Sequence, residues 1–142
     1  MSIRYRNYVY VGGPYSGRDA HGNQGYMIIE QNILNARAAM KQLIEHGYGV
    51  FCPHTHSAHF EVITPHVDID YWYELDIHFL YACQAFLRLP GKSSGADNEI
   101  EECLKVQIPV FYSVKDVIER LPVFRQLNEF KDIMTAMRTG KW

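Results

Sequence analysis

Short runs of β-branched and aromatic residues alternate with helical patterns along most of this chain. Four such runs are predicted to be strands: 8–11, 49–52, 85–89 and 109–112. The segments between and after them have the apolar spacing of helices: 27–46, 71–83, 96–105, 114–121 and 123–137. Strands separated by helices are joined most readily as parallel neighbours through right-handed crossovers. The pattern therefore predicts an α/β fold, a three-layer Rossmann-like or flavodoxin-like sandwich whose parallel sheet has four to five strands in the order 2-1-3-4(-5).

The size and composition of the chain fit a single domain over residues 1–142. Hydrophobic residues make up 47% and the formal net charge is −2, which excludes a strongly basic protein that binds nucleic-acid polymers through charge. No apolar run approaches the roughly 18 residues of a membrane span, and no signal peptide is recognisable, so we expect no membrane partner. The three cysteines are an odd number among apolar neighbours, which favours buried thiols and a cytoplasmic location.

The predicted strand order places two loops opposite each other. In an open parallel sheet, ligands bind where the winding reverses, outside the carboxyl ends of the strands. Here that point lies between the first and third strands, so the loop 12–18 should face the loop and helix start at 90–99. These two segments are the most motif-like in the chain, and we expect a crevice between them.

Two acidic residues occupy unusual helical positions. Glu99 lies near the start of the helix 96–105, at the edge of its buried side, where the helix dipole favours the charged form. An ionised carboxylate in a cleft can attack an electrophilic carbon, although an acid near a helix start can also serve the dipole alone. Asp76 interrupts an apolar stripe formed by Trp72 and Phe79, so its carboxyl must be hydrogen-bonded or face a cavity.

The loop after the first strand and the histidines after the second are weaker signals. Ser16 and Arg18 can hold a phosphate or sugar hydroxyls, but glycines after a strand are also ordinary turn chemistry. His54, His56 and His59 follow Cys52 at a spacing that fits no standard zinc site. We expect these histidines to line a long irregular binding loop over 53–69 or to be structural. No metal or organic cofactor is predicted.

At these residues the chain resembles the nucleoside 2-deoxyribosyltransferase-like superfamily, which includes deoxynucleoside 5′-monophosphate N-glycosidases and uncharacterised phage and bacterial members. The resemblance runs from about residue 8 to 112 and rests on five features. They are YVYVGGPYSG, N-x-x-x-A at 32–36, G-x-x-V-x-x-P at 47–53, the helical Asp76, and LPGKSSGADNE. The resemblance implies cleavage of an N-glycosidic bond, with Glu99 as nucleophile and Asp76 near the base. It also implies substrate contacts in the first loop, from Gly13, Pro14, Tyr15, Ser16 and Arg18.

One departure from the family pattern bears on the substrate. Many transferases have Asp six residues before the nucleophile, whereas this chain has Ser93. The branch that hydrolyses deoxynucleoside 5′-monophosphates uses Ser there to bind phosphate, so Ser93, Ser94 and Gly95 are expected to hold a phosphate or 5′-hydroxyl. A second departure is Gln84, where relatives often have Asp; a structural role is expected there. The C-terminal thirty residues are not covered.

Relatives share active sites between subunits, and the chain is rich in aromatic residues, so a homodimer or higher homo-oligomer is expected. The predicted ligand is a small nucleoside or nucleotide, cleaved by hydrolysis or base exchange. Two alternatives stay open: a non-catalytic nucleotide-binding module, which would not need Glu99, and a metal-dependent hydrolase built on residues 52–59.

Overall fold

Four parallel strands form the central sheet of the computed structural model, which describes residues 5–18, 20–23, 25–125, 134–135 and 137–140. The strands are β1 (Tyr8–Gly12), β2 (Gly49–Phe51), β3 (Ala85–Arg88) and β4 (Val110–Phe111). Their order is β2-β1-β3-β4, and every pairing is parallel. The predicted α/β class and strand order are therefore confirmed, with four strands in the described part of the sheet.

Six helices within the described range 25–125 connect and flank the strands. They are α1 (Tyr26–Glu45), α2 (Pro53–His56), α3 (Phe60–Ile63), α4 (Ile69–Tyr81), α5 (Ser94–Val106) and α6 (Val114–Arg120). The segment 53–69, predicted to be irregular, contains the two single-turn helices α2 and α3. At the predicted start of a final helix, Phe124 instead forms an isolated antiparallel bridge with Arg6, and residues 126–133 and 136 lie outside the described residues. Across the described ranges, no helix combines the length and apolar character needed to cross a bilayer.

The core is divided by the sheet into two clusters. Side chains of β1 alternate between the two faces, so Val9 and Tyr10 belong to different clusters. One cluster packs against α1 and α6, and the other against α4 and α5. All three cysteines are buried and unpaired, as their apolar neighbours predicted. Helices on both faces of the sheet give the expected three layers.

The buried faces of α4 and α5 are rotated relative to the prediction. The buried residues of α5 are Ala96, Glu99 and Cys103. Glu99 is therefore central to the buried face rather than at its edge, and Leu104, an apolar residue of the same helix, is 72% exposed. The buried residues of α4 are Ile77 and Leu80. Phe79 is 38% exposed, and the rotation turns one side of α4 toward the crevice above the sheet.

Candidate active site

A cleft of about 1030 Å³ opens at the carboxyl ends of β1 and β3, at the predicted point. The predicted site residues that line it are Gly13, Pro14, Tyr15, Ser16, Arg18, His54, Asp76, Ser93, Ser94, Gly95 and Glu99. The other lining residues are Pro53, Ser57, Phe60, Glu61, Ile69, Asp70, Trp72, Tyr73, Lys92, Ala96 and Asn98. The structure thus brings together every predicted site residue except His56.

The loop after β1 and the loop before α5 touch directly, as the strand order predicted. The Leu89 amide donates to the Gly12 carbonyl at 2.8 Å, and the Ser93 hydroxyl donates to the Gly13 carbonyl at 3.4 Å. The glycines permit this approach, because a Cβ on Gly13 would lie 2.7 Å from Cβ of Leu89. A Cβ on Gly12 would lie 3.3 Å from Oε1 of Glu99, so the backbone of β1 forms the wall beside this carboxyl.

Glu99 is a buried carboxyl in the second turn of α5. Only 8% of the residue is exposed, and its Oε2 has no hydrogen-bond partner among the described residues. Burial raises its pKa to about 7, and the neighbouring Asp76 adds to the rise. The Tyr10 hydroxyl and the Arg88 guanidinium act in the opposite direction and lower the pKa. Glu99 lies beyond the first turn of α5, and burial opposes the ionised form that its place near the helix start was expected to favour.

Tyr10 lies beneath this carboxyl, and the sequence patterns did not single it out. The side chain comes from the middle of β1 and is fully buried. Its hydroxyl is close enough to influence the pKa of Glu99, yet it makes no hydrogen bond of ordinary geometry within the described residues. Burial and the nearby carboxyls raise the pKa of Tyr10, so the phenol remains a neutral donor. An aromatic residue in a strand is ordinary core composition, which is why its pattern gave no signal.

Asp76 lies on the side of α4 that faces the cleft. Its Oδ1 is buried without a hydrogen-bond partner in the described part of the chain. Burial raises the pKa of this carboxyl to about 6. Of the two expectations for Asp76, a hydrogen-bonded side chain or one facing a cavity, the structure places it at the cavity.

The start of α5 and the loop after β1 form the polar side of the cleft. The Ser93 hydroxyl accepts a hydrogen bond from the Ala96 amide at 3.1 Å and so caps α5. Ser94 and Gly95 are exposed beside it, and Lys92 also lines the cleft. On the facing loop, the Arg18 guanidinium donates to the Gly22 carbonyl at 2.9 Å while lining the same cavity.

The predicted histidines separate into different environments. His54 lines the cleft and stacks on Tyr15 at a ring distance of 5.4 Å. Burial lowers its pKa to about 4, so the imidazole is neutral, and its Nδ1 has no partner among the described residues. His56 instead packs against the rings of Phe51 and Phe79, outside the cleft.

Nearby, His59 belongs to a polar cluster at the mouth of the cleft. Its Nε2 lies 2.6 Å from Oε1 of Glu30, and its backbone amide donates to the Tyr15 hydroxyl at 2.8 Å. The Tyr15 hydroxyl in turn donates to the Glu61 carboxylate at about 3.0 Å. Within the described residues, no group of three histidine, cysteine or acidic side chains could hold a metal ion.

A wall of aromatic side chains from α3 and α4 lines the other side of the cleft, and the sequence analysis did not assign it to the site. Phe60 and Trp72 pack edge to face with ring centroids 5.5 Å apart, and Tyr73 lies beside them on α4. The helical spacing of four already placed Trp72 and Asp76 on one face, but it did not indicate that this face lines the cleft.

Comparisons with known proteins assign no family to the chain. No protein-family model matches it, and a search of the curated proteins finds no match. The geometry and charges of the cleft are therefore the basis for proposing a function.

Proposed function

We propose that the protein cleaves the N-glycosidic bond of a nucleoside or nucleoside 5′-monophosphate, with Glu99 as the nucleophile. The observation that carries this proposal is the pair Glu99 and Asp76 on one cleft, two carboxyls whose buried oxygens have no partner within the described residues. Unpartnered buried polar atoms cost folding free energy, which points to a role other than stability. Glycosidic bond cleavage typically uses two carboxyls at one cleft, one that donates a proton and one that acts as an ionised nucleophile.

In the proposed reaction, the two carboxyls have different roles. Ionised Glu99 attacks C1′ of the sugar, so a C1′–O bond forms as the C1′–N bond breaks. The electron pair of the broken bond goes to the base nitrogen, which takes the proton of Asp76. Water or a second base then attacks C1′ and gives its proton to Asp76, which frees the Glu99 carboxylate. Hydrolysis or base exchange therefore returns both groups to their starting protonation states.

Tyr10 and Arg88 support the attack by Glu99. Both lower the pKa of this carboxyl against the effect of burial, and so increase the ionised fraction near neutral pH. The guanidinium of Arg88 is buried and held by Asp97 at 3.0 Å and by the Gly91 carbonyl at 2.8 Å. We place both as positioning residues.

The polar side of the cleft suits a 5′-phosphate. Arg18 and Lys92 bring positive charge, and the hydroxyl of Ser94 and the backbone of Gly95 stand exposed at the start of α5. Helix N-termini and basic side chains both favour anions. Ser16 on the facing loop adds a hydroxyl. The aromatic wall opposite offers a surface on which a base can stack.

The test is release of free base from a panel of nucleosides and 5′-monophosphates. Wild-type protein should release base from at least one of them, while Glu99→Gln should lose at least about a hundredfold in turnover and still bind the substrate. Glu101→Gln is the matched control, because Glu101 is an exposed acid on the same helix. Release by Glu99→Gln at the wild-type rate would contradict the proposal, and so would absence of release by the wild type across the panel.

A further inference from the structure

The two walls of the cleft carry opposite charge. The basic side chains that line it in the described part of the chain are Arg18 and Lys92, on the loop after β1 and just before α5. The acidic side chains apart from Glu99 lie on the α3–α4 wall: Glu61, Asp70 and Asp76. A nucleotide that spans the cleft from phosphate to base therefore meets positive charge at one end and negative charge at the other.

The acidic wall is also the aromatic wall. The edge-to-face pair of Trp72 and Phe60 lies on this wall. Asp70 is an exposed residue in the first turn of α4, two residues before Trp72. Glu61 is engaged by the Tyr15 hydroxyl, which leaves Asp70 and Asp76 to act on a ligand. Aromatic faces and carboxylates together attract a cation, since the ring quadrupole and the anionic charge act in the same direction. A neutral base needs only the rings.

We propose that the cleft selects 5′-monophosphates whose base is a positively charged heterocycle, with the ring against Trp72 and Asp70 and the phosphate toward Lys92. This inference rests on the proposed function and names its substrate class. The buried Oε2 of Glu99, which has no hydrogen-bond partner among the described residues, lies on the same cleft and marks the reacting position.

The chemistry of a cationic base fits the same site. When the C1′–N bond breaks, its electron pair neutralises the positive ring, so the base leaves as a neutral molecule and needs no proton from Asp76. Glu99 forms the bond to C1′, and water then supplies the hydroxyl and releases one proton. The products are the neutral base and the sugar phosphate, and Glu99 returns as a carboxylate.

Binding to the Glu99→Gln variant tests the inference without turnover. The probes are nicotinamide mononucleotide, which has a pyridinium ring, and its dihydro form, which has the same ribose phosphate and a neutral ring. Titration calorimetry at pH 8 should show the cationic probe binding about tenfold more tightly. Equal binding, or tighter binding of the neutral probe, would overturn the inference. If Glu99→Gln does not fold, Glu99→Ala is used with the same probes.

A second pair of variants locates the selectivity on the acidic wall. Adding Asp70→Asn should reduce the ratio of the two dissociation constants by about threefold. Adding Glu74→Gln should leave the ratio unchanged, because Glu74 is an exposed acid on α4 that does not line the cleft. Equal reductions in both variants would count against the inference.

A result that overturns the preference for a cationic base can be distinguished from one that overturns the proposed function. Equal binding of the two probes, together with base release from neutral nucleotides by the wild type, would overturn only the preference for a positive ring. Absence of base release from either class by the wild type would overturn the proposed function, which the base-release panel measures independently.

Discussion

Removing the charge of Glu99 should stabilise the protein, and the gain should grow with pH. The folded state raises the pKa of this carboxyl from 4.5 to about 7 because burial disfavours the anion. A raised acid pKa means that the folded state prefers the protonated form. The cost to stability is therefore absent well below pH 4.5, grows as the unfolded chain ionises, and is complete above about pH 7. Glu99→Gln has no such cost at any pH.

The size of this stability cost follows from the rise in the pKa of Glu99. Each tenfold change in an ionisation constant is worth about 1.4 kcal/mol, so the full cost of ionised Glu99 is about 3 kcal/mol. Part of this cost is already present at pH 5, and the difference in cost between pH 5 and pH 8 is about 2 to 3 kcal/mol. Asp76 is present in both proteins, so the effect of its own burial cancels in the comparison.

Urea denaturation followed by tryptophan fluorescence measures this difference. The free energy of unfolding of Glu99→Gln minus that of the wild type should be about 2 to 3 kcal/mol larger at pH 8 than at pH 5. Glu101→Gln should show a difference within about 0.5 kcal/mol at both pH values, as expected for an exposed site. A pH-independent difference for Glu99→Gln would mean that Glu99 ionises normally in the folded protein and would refute the reasoning from burial.

Three further predictions concern the cleft. For a substrate with a neutral base, kcat/KM should be bell-shaped with its maximum between about pH 6 and 7, because Glu99 must be ionised and Asp76 protonated; a flat profile from pH 5 to 8 would contradict these roles. Tyr10→Phe removes a group that lowers the pKa of Glu99. Because that pKa already lies above the pKa of Asp76, the falling limb of the profile should move to higher pH and the maximum should drop, and an unchanged profile would show that Tyr10 does not act on Glu99. A nucleoside 5′-monophosphate should bind about 1.5–3 kcal/mol more tightly than its nucleoside by calorimetry, because Arg18 and Lys92 face the phosphate; equal affinities would argue against this placement.

The sheet and the position of the cleft were predictable because they depend on local patterns and chain topology. Apolar runs ended by glycine or proline located the strands, and the rules for parallel crossovers then fixed which loops face each other. The contact between Gly13 and Ser93, 80 residues apart, follows from that order and is present in the structure.

The environment of Glu99 was not predictable from spacing. Helical periodicity places residues on a common face but leaves the rotation of that face against the sheet to packing. The rotation of α5 determines that Glu99 is buried and Leu104 exposed, and burial is the main cause of the raised pKa of Glu99. The aromatic wall depends on the same rotation of α4 and on the short helix α3, which the pattern over 53–69 did not indicate.

The stereochemistry of the reaction at C1′ tests the role of Glu99 most directly. A β-nucleoside or its 5′-monophosphate is cleaved in buffer containing methanol, and the methyl glycoside formed is identified by proton NMR. Attack by Glu99 followed by attack of methanol inverts C1′ twice, so the account predicts the β-methyl glycoside. Formation of the α-methyl glycoside would mean a single direct displacement and would contradict a covalent bond between Glu99 and the sugar.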